Sequence, residues 1–524
     1  MDQIKTSTES QTNTTIANMS KKKKIGFLSA MMFVIGSSIG AGIFLKNDEV
    51  MTNTHNSIVY AILAWVIAFI GIFAMALALI EIVSASKVDN KEGIVGWVKT
   101  FNNKYLYVGC RNFMAYIYLP INIFAMPYYV IQQFNEGIGW NAEWYWVALI
   151  AFVVMLYFVI TTALSDKLSN IQNWISLVIK FFPLIVAAFI GFVWLGMNHG
   201  MSPDGNHWLP QDVNIKPTNW RDTTYMNNLT PVLGIFMSIP SILFVVDGFY
   251  SATAIQSSMR EPKKMSKAIL FGLVAIVAVD ILIALSLMFG PKAGGGIGIF
   301  ADWLPSWFYQ TLQILITIGV LGVVNGICAY SGKMYEQMIE SKTIVLHNKI
   351  ANLFKGNLKK STMFYVLVIN ITIFILATLV GCFFFNTSVY TTYSPTVCDL
   401  YSFVDLTANW TSLFAFLIIV FALIGGLRNR KTHTVEVVKS KYFYGSAVIV
   451  SIIILLSVVM EIVKAVGNVC LAGIWFNDFT DDNVRIDRLV GSILMTLTML
   501  LFILAIAWPW MHFRMSKKNR LAAK

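Results

Sequence analysis

Gly36, Ser37, Ser38, Gly40 and Gly42 fall in the middle of the first long apolar run of this 524-residue chain, and Asp247 and Gly248 interrupt another. Glycine costs a helix about 1 kcal/mol relative to alanine, so neither place suits a continuous helix. In hydrocarbon, peptide groups freed from a helix must line a cavity or meet a ligand. The chemistry on offer is binding. Unpaired N–H groups at a helix end suit a carboxylate, and the Asp247 carboxylate suits an ammonium or a cationic side chain. Each place also has a plainer reading. Small residues let membrane helices pack closely, and Asp247 fits a cap on the second half of an interrupted helix. Phe244 and Phe249 flank Asp247, where they could close over an apolar side chain.

Other ionisable residues stand at depth. Lys180 lies in the mostly apolar stretch 175–185 and Asp280 is an isolated acid in a later run. Such groups are costly in a membrane and are functional candidates for that reason. Lys180 reads equally as a packing tether. Glu461 and Lys464, three apart, predict a local ion pair. Tyr116 and Asn325 are candidates to enter a substrate cavity. Catalysis finds no support in the sequence: there is no nucleophile–base pair, no ligand cluster for a metal and no P-loop. Five cysteines without a CxxC pair give no disulfide or metal framework, and Cys110, Cys328, Cys382 and Cys470 read as small buried hydrophobes. No cofactor is expected.

These residues need long apolar elements to hold them. The chain is 57% hydrophobic and 13% charged, where a soluble domain has about 25% charged residues. Twelve apolar runs are each long enough to span a bilayer: 25–46, 57–84, 105–134, 144–163, 170–196, 229–256, 267–289, 306–333, 363–386, 406–427, 443–465 and 489–511. Pro120 and Pro127 predict a tilt or kink in the third. The net charge of +12 is spread over short loops rather than one face, which argues against a nucleic-acid partner. Alternate loops hold most of the Lys and Arg, and the opposite set holds only Lys46, Lys216, Arg221, Lys292, Arg485 and Arg488. The positive-inside rule then puts both termini in the cytoplasm. Residues 1–20 are polar and read as a tail, with no cleavable signal peptide. Two interrupted helices at matching places in two halves are the pattern of a secondary transporter.

Residues 36–44, the Phe244–Phe249 segment, Arg260-Glu261-Pro262-Lys263-Lys264 and Gly322-Val323-Val324-Asn325-Gly326 together resemble the amino acid–polyamine–organocation (APC) superfamily of permeases. The resemblance runs over roughly 25–465. It implies an all-α integral membrane protein of twelve transmembrane helices, with a LeuT-like five-plus-five inverted repeat and broken helices one and six. Residues 1–24 would be a tail, 25–196 the first repeat, 197–228 an outer loop and 229–427 the second repeat. A loop at 428–442, two further helices in 443–511 and a basic tail at 512–524 would follow. It also implies secondary transport of amino acids across the plasma membrane by alternating access. Substrate would meet Ile35, Gly36, Ser37, Ser38, Ile39, Gly40, Ala41 and Gly42 on one side. Phe244, Val245, Val246, Asp247, Gly248 and Phe249 would face it from the other. A lysine at the place of Lys180 approaches spans one and eight in this superfamily and is linked to proton coupling in some members. Glu261 is a gate candidate, because Ser258 stands where the motif commonly has glutamate. Proton symport, exchange without proton coupling, and sensing without transport remain open at this point. The expected partners are a small amino acid substrate and membrane lipid, in a monomer or weak homo-oligomer.

Overall fold

The structure, a computed structural model, describes residues 26–38, 42–85, 93–198, 200–209, 231–250, 252, 259–261, 264–340, 344, 354, 357–385, 393–474 and 482–522. Ile39, Gly40 and Ala41 lie outside the described residues, as do 1–25 and 210–230. The described residues form helices, turns and bends, with an isolated bridge between Ser57 and His207. The elements are α1 (Phe27–Ser38), α2 (Gly42–Asn53), α3 (Ile58–Ser84), α4 (Gly93–Phe101) and α5 (Lys104–Phe113). A π-helical turn, Met114–Tyr118, joins α5 to α6 (Leu119–Ile138). Then come α7 (Trp144–Leu164), α8 (Asp166–Met197), α9 (Pro231–Met237), α10 (Ile239–Val246), α11 (Met265–Met288) and α12 (Ser306–Glu340). The last are α13 (Leu358–Phe383), α14 (Pro395–Thr432), α15 (Phe443–Ile474) and α16 (Asp482–Ala522).

Ten helices among the described residues are long and apolar enough to cross a membrane, and α1 and the α9–α10 pair are shorter apolar helices. Burial sorts the long ones. The apolar stretches of α5–α6 and α14 are 83% buried, those of α7 and α16 only 33%. The first two therefore form the centre of the bundle, and the others present Leu149, Val153, Leu497 and Leu501 outward. Exposed leucines and valines at that density suit hydrocarbon as the surrounding solvent. Where helices meet most closely, glycine makes room: a Cβ on Gly191 of α8 would lie 1.6 Å from the Ser286 carbonyl oxygen of α11.

Local chemistry sets the element ends. The Ser57, Asn103, Ser165 and Asn357 side chains each accept a backbone N–H from the first turn of the helix that follows. Gly139, at φ +66°, closes α6 in the left-handed region. Pro120, which lacks the N–H that would bond back to Tyr116, stands two residues after the π-helical turn, so the third apolar run departs from regular α geometry there.

Three features depart from the sequence reading. Helix α14 begins at Pro395, eleven residues before the expected run, because buried Asp399, Ser402 and Asp405 lower its hydropathy while facing the bundle. The stretch expected as a loop before the third run contains α4, which buries Ile94, Val95, Trp97 and Val98 and packs on α14. Cys470 is exposed, whereas Cys110, Cys328 and Cys382 are buried as expected.

At one end of the bundle Arg430 of α14 grips Glu81 of α3 through two bonds of 2.7 and 2.6 Å. The Ser440 N–H donates to the same carboxylate at 2.8 Å, and Arg430 also donates to the Ser440 carbonyl. Glu81 is 2% exposed, so this bidentate pair satisfies a buried charge and fastens the loop after α14 to α3.

Candidate functional site

Helix α2 starts against α10. A Cβ on Gly42 would lie 3.3 Å from the Val245 Cα and 3.7 Å from the Phe244 ring. This close approach brings the glycine-rich segment to the aromatic segment. Helix α10 ends at Val246: Asp247 is extended (φ −64°, ψ 160°) and Gly248 has φ +87°, a conformation glycine adopts without the penalty of a Cβ. The Asp247 carboxylate is held from three sides. Tyr118 and Ser412 hydroxyls donate to Oδ2 at 2.9 and 2.7 Å, and the Gly248 N–H donates to Oδ1 at 2.7 Å. The chain break at α10 is thereby tied to the π-helical turn and to α14. Val245 and Val246 are buried, and Phe249 packs against Phe416 and Tyr250.

One turn along α2 from Gly42 lies Lys46, which is fully buried. Its ammonium donates to Asp405 of α14 at 2.5 Å and to Glu49 at 3.1 Å, and it stands 5.1 Å from the Phe244 ring centre and 5.4 Å from that of Tyr129. The Tyr129 hydroxyl also donates to Asp405, at 2.8 Å. Asn409 donates to both Glu49 oxygens and to Ser241 of α10. Helices α2, α6, α10 and α14 thus share one polar network. Sequence reasoning set Lys46 in an outer loop; the helix instead runs on to Asn53 and carries the lysine into the bundle.

Above this network opens a cavity of about 620 Å³, within the ~300–1,000 Å³ usual for small-molecule sites. Phe44, Asp48, Glu49, Gln132, Gln133, Glu136, Lys292, Tyr393, Ser402, Asp405 and Lys464 are among its lining residues. Asp48 accepts the Gly295 N–H at 2.9 Å and Asn47 donates to the Gly295 carbonyl, so α2 also holds the segment that forms the cavity rim.

On the far side of α1, the Lys180 ammonium of α8 donates to the Gly36 carbonyl at 2.9 Å. Gly319 of α12 lets it pass, since a Cβ there would lie 3.1 Å from the Lys180 Cβ. Ile35 is buried at the same turn, and the buried Ser38 hydroxyl has no hydrogen-bond partner among the described residues.

The model of the amino acid permease family matches residues 25–480. The chain belongs to the amino acid permease family. An uncharacterised protein of Mycoplasma pneumoniae is 32% identical to it over 531 aligned residues, 92% of each chain. The serine/threonine exchanger SteT of Bacillus subtilis is 23% identical over 51% of this chain and 55% of its own length. In fold, the permease is similar to MhsT, solved in complex with L-phenylalanine, with a TM-score of 0.51 and 13% identity over 82% of this chain and 97% of that one. MhsT is a LeuT-fold neighbour, and this likeness concerns the fold alone.

None of the substrate-contact residues expected from the sequence is among those that line the cavity, and Tyr116, Asn325 and Glu261 of the permease also lie apart from it. Tyr116 is 42% exposed and shares a 3.1 Å hydrogen bond with Tyr365. Asn325 is fully buried and donates to the Ser169 carbonyl and to Asn173, tying α12 to α8. Glu261 is exposed and pairs with Lys264 at 2.8 Å. The Ser37 side chain lies outside what the structure describes. The expected Glu461–Lys464 pair gives way to a tertiary arrangement: Glu461 accepts the Trp410 indole N–H at 2.8 Å while Lys464 lines the cavity. Sequence reasoning missed Glu49, Glu136 and Asp405. Their one signal is acid at the ends of apolar runs, which outer loops share.

Proposed function

We propose that the chain is a secondary transporter that carries amino acids across the plasma membrane by alternating access. The observation that carries this reading is the meeting of Gly42 with Phe244 and Val245, one turn from the Lys46 network and beside the end of α10. In this reading α1–α2 and α9–α10 are broken spans one and six of a twelve-span, five-plus-five inverted repeat. The first turn of α2 has N–H groups without partners inside its own helix, and these receive the substrate carboxylate. Carbonyls at the ends of α1 and α10 receive the amine. Asp247, held by three donors, shapes the break and reaches substrate through it. The cavity opens outward, with both termini in the cytoplasm as the basic loops require. The contact of Lys46 with Asp405 joins α2 to α14 beneath the cavity, so movement of α2 must break or remake it. Lys180, bonded to the last turns of α1, is the residue through which protonation would bias that movement. Similarity to a serine/threonine exchanger favours exchange as the second reading.

Counterflow in proteoliposomes tests the class. Labelled amino acid is expected to accumulate only when unlabelled substrate fills the lumen; binding without accumulation would make the chain a sensor. Proton flux measured alongside separates symport from exchange. Lys180→Ala is expected to abolish gradient-driven uptake while counterflow at fixed pH persists. Equal loss of both would make Lys180 a brace.

A further inference from the structure

Four carboxylates line the cavity, and they are not equally provided for. Asp405 and Glu49 share the Lys46 ammonium, and Asp48 accepts a backbone N–H. Glu136 has no ion-pair partner among the described residues. Its Oε2 meets the Gln133 and Gln313 amides at 3.4 Å each, and its Oε1 meets the Tyr393 hydroxyl at 3.5 Å. These are beyond the usual 2.7–3.2 Å for N–H donors. Glu136 also sits in the last turn of α6, where the helix's own partial negative charge opposes an anion. Lys292 and Lys464 line the same cavity, but Asp302 holds Lys292 at 2.5 Å and neither lysine forms an ion pair with Glu136 among the described residues.

A second observation lies on the same turns of α6. Gln132 and Gln133 line the cavity, are each 2% exposed, and their Oε1 atoms have no donor among the described residues. A buried acceptor without a donor costs about 1–3 kcal/mol, and native proteins carry few. These two glutamines therefore offer unmet acceptors beside a carboxylate that has no ion-pair partner among the described residues. What would complete them is a cation rich in N–H groups.

We propose that this end of α6 is an outer subsite for the cationic group of the substrate, an ammonium or guanidinium, and that the permease carries amino acids with basic side chains. This rests on the transport reading above and names its substrate class. Glu136 supplies the charge, and Gln132 and Gln133 accept the N–H groups. The subsite lies on the cavity wall, apart from Asp247 and the α2–α10 contact.

The test is counterflow of labelled arginine, lysine, serine and threonine with the full-length protein, in wild type and in Glu136→Gln, with KM measured for each carried substrate. The expected result is accumulation of arginine or lysine in preference to the neutral pair, with a ten- to hundredfold rise in their KM in the variant. That is roughly the span of one charge-assisted hydrogen bond. Glu136→Asp, which keeps the charge, is expected to recover part of the loss. Should Glu136→Gln not fold, Gln132→Leu takes its place with a severalfold rise in the same KM. Accumulation of serine or threonine alone would overturn the subsite and leave the transport reading standing. An unchanged KM for arginine in the variant would also overturn it. Accumulation of no amino acid by folded protein would overturn both.

Discussion

Replacing Lys46 with methionine removes one charge from a place that water does not reach. The side chain is of similar length and apolar, so packing against Phe244 and Tyr129 is largely kept. What changes is that Asp405 and Glu49 lose the ammonium that lay 2.5 and 3.1 Å from them. Breaking a buried pair by removing one partner costs about 3–5 kcal/mol, because the stranded charge is left behind. Here Tyr129 still donates to Asp405, Asn409 still donates to Glu49, and both carboxylates line the cavity, so about 3 kcal/mol at most is expected. Adding Asp405→Asn removes one stranded charge and keeps an acceptor for the Tyr129 hydroxyl. The double variant should therefore be more stable than Lys46→Met alone, with a coupling of roughly 1–3 kcal/mol. Thermal unfolding of the detergent-solubilised protein, followed by tryptophan fluorescence, ranks wild type, Lys46→Met, Asp405→Asn and the double variant. The midpoint should fall furthest for Lys46→Met and return part of the way in the double variant. Lys46→Met melting with wild type, or strictly additive effects, would refute a buried charge cluster beneath the cavity.

Gly42→Val should cut amino acid binding at least tenfold in protein that still inserts and elutes as a single species, because its Cβ meets the Val245 backbone at 3.3 Å and its methyls have nowhere to go; wild-type affinity in the variant would remove Gly42 from the site. Asp247→Asn should lower transport of neutral and basic amino acids alike. The carboxylate accepts on both oxygens, and an amide must either set its NH₂ against the Gly248 N–H, at a cost of about 1–3 kcal/mol, or make the Tyr118 and Ser412 hydroxyls turn from donors to acceptors. Loss confined to basic substrates, measured by counterflow, would instead make Asp247 the side-chain reader.

Much of the scaffold is legible in the amino-acid order because hydrocarbon thickness imposes it. Runs such as 144–163 and 267–289 coincide with helices α7 and α11 to within a few residues. The glycine-rich string and the Asp247-Gly248 pair are legible for a related reason: both are poor helix formers in apolar surroundings. The polar network is not legible. Lys46, Asp405 and Asn409 take their meaning from partners about 360 positions away, and hydropathy treats a buried lysine and a loop lysine alike. The same blindness shortened α14, whose first turns are polar and yet interior. The pairing of Glu461 with Trp410 rather than Lys464 shows that i,i+3 spacing permits a contact without selecting it over a tertiary donor.

The grip of Arg430 on Glu81 spans 349 positions of chain, and that of Lys46 on Asp405 spans 359. At about 5–20 residues per second, ribosomal synthesis separates the first members of these pairs from the second by roughly 20–70 s. During that interval Lys46, Glu49 and Glu81 have entered the bilayer or its edge while α14 does not yet exist. Lys46 and Glu49 can pair within α2 during that interval, whereas Glu81 must wait for its cation, held at the headgroups or by the insertion machinery. Helix α14 arrives late, bringing Arg430 to Glu81 and a second carboxylate, Asp405, to the Lys46–Glu49 pair. Assembly of this protein is thus completed by a single late helix, and a chain that ends before residue 395 leaves Glu81 without the Arg430 that satisfies it.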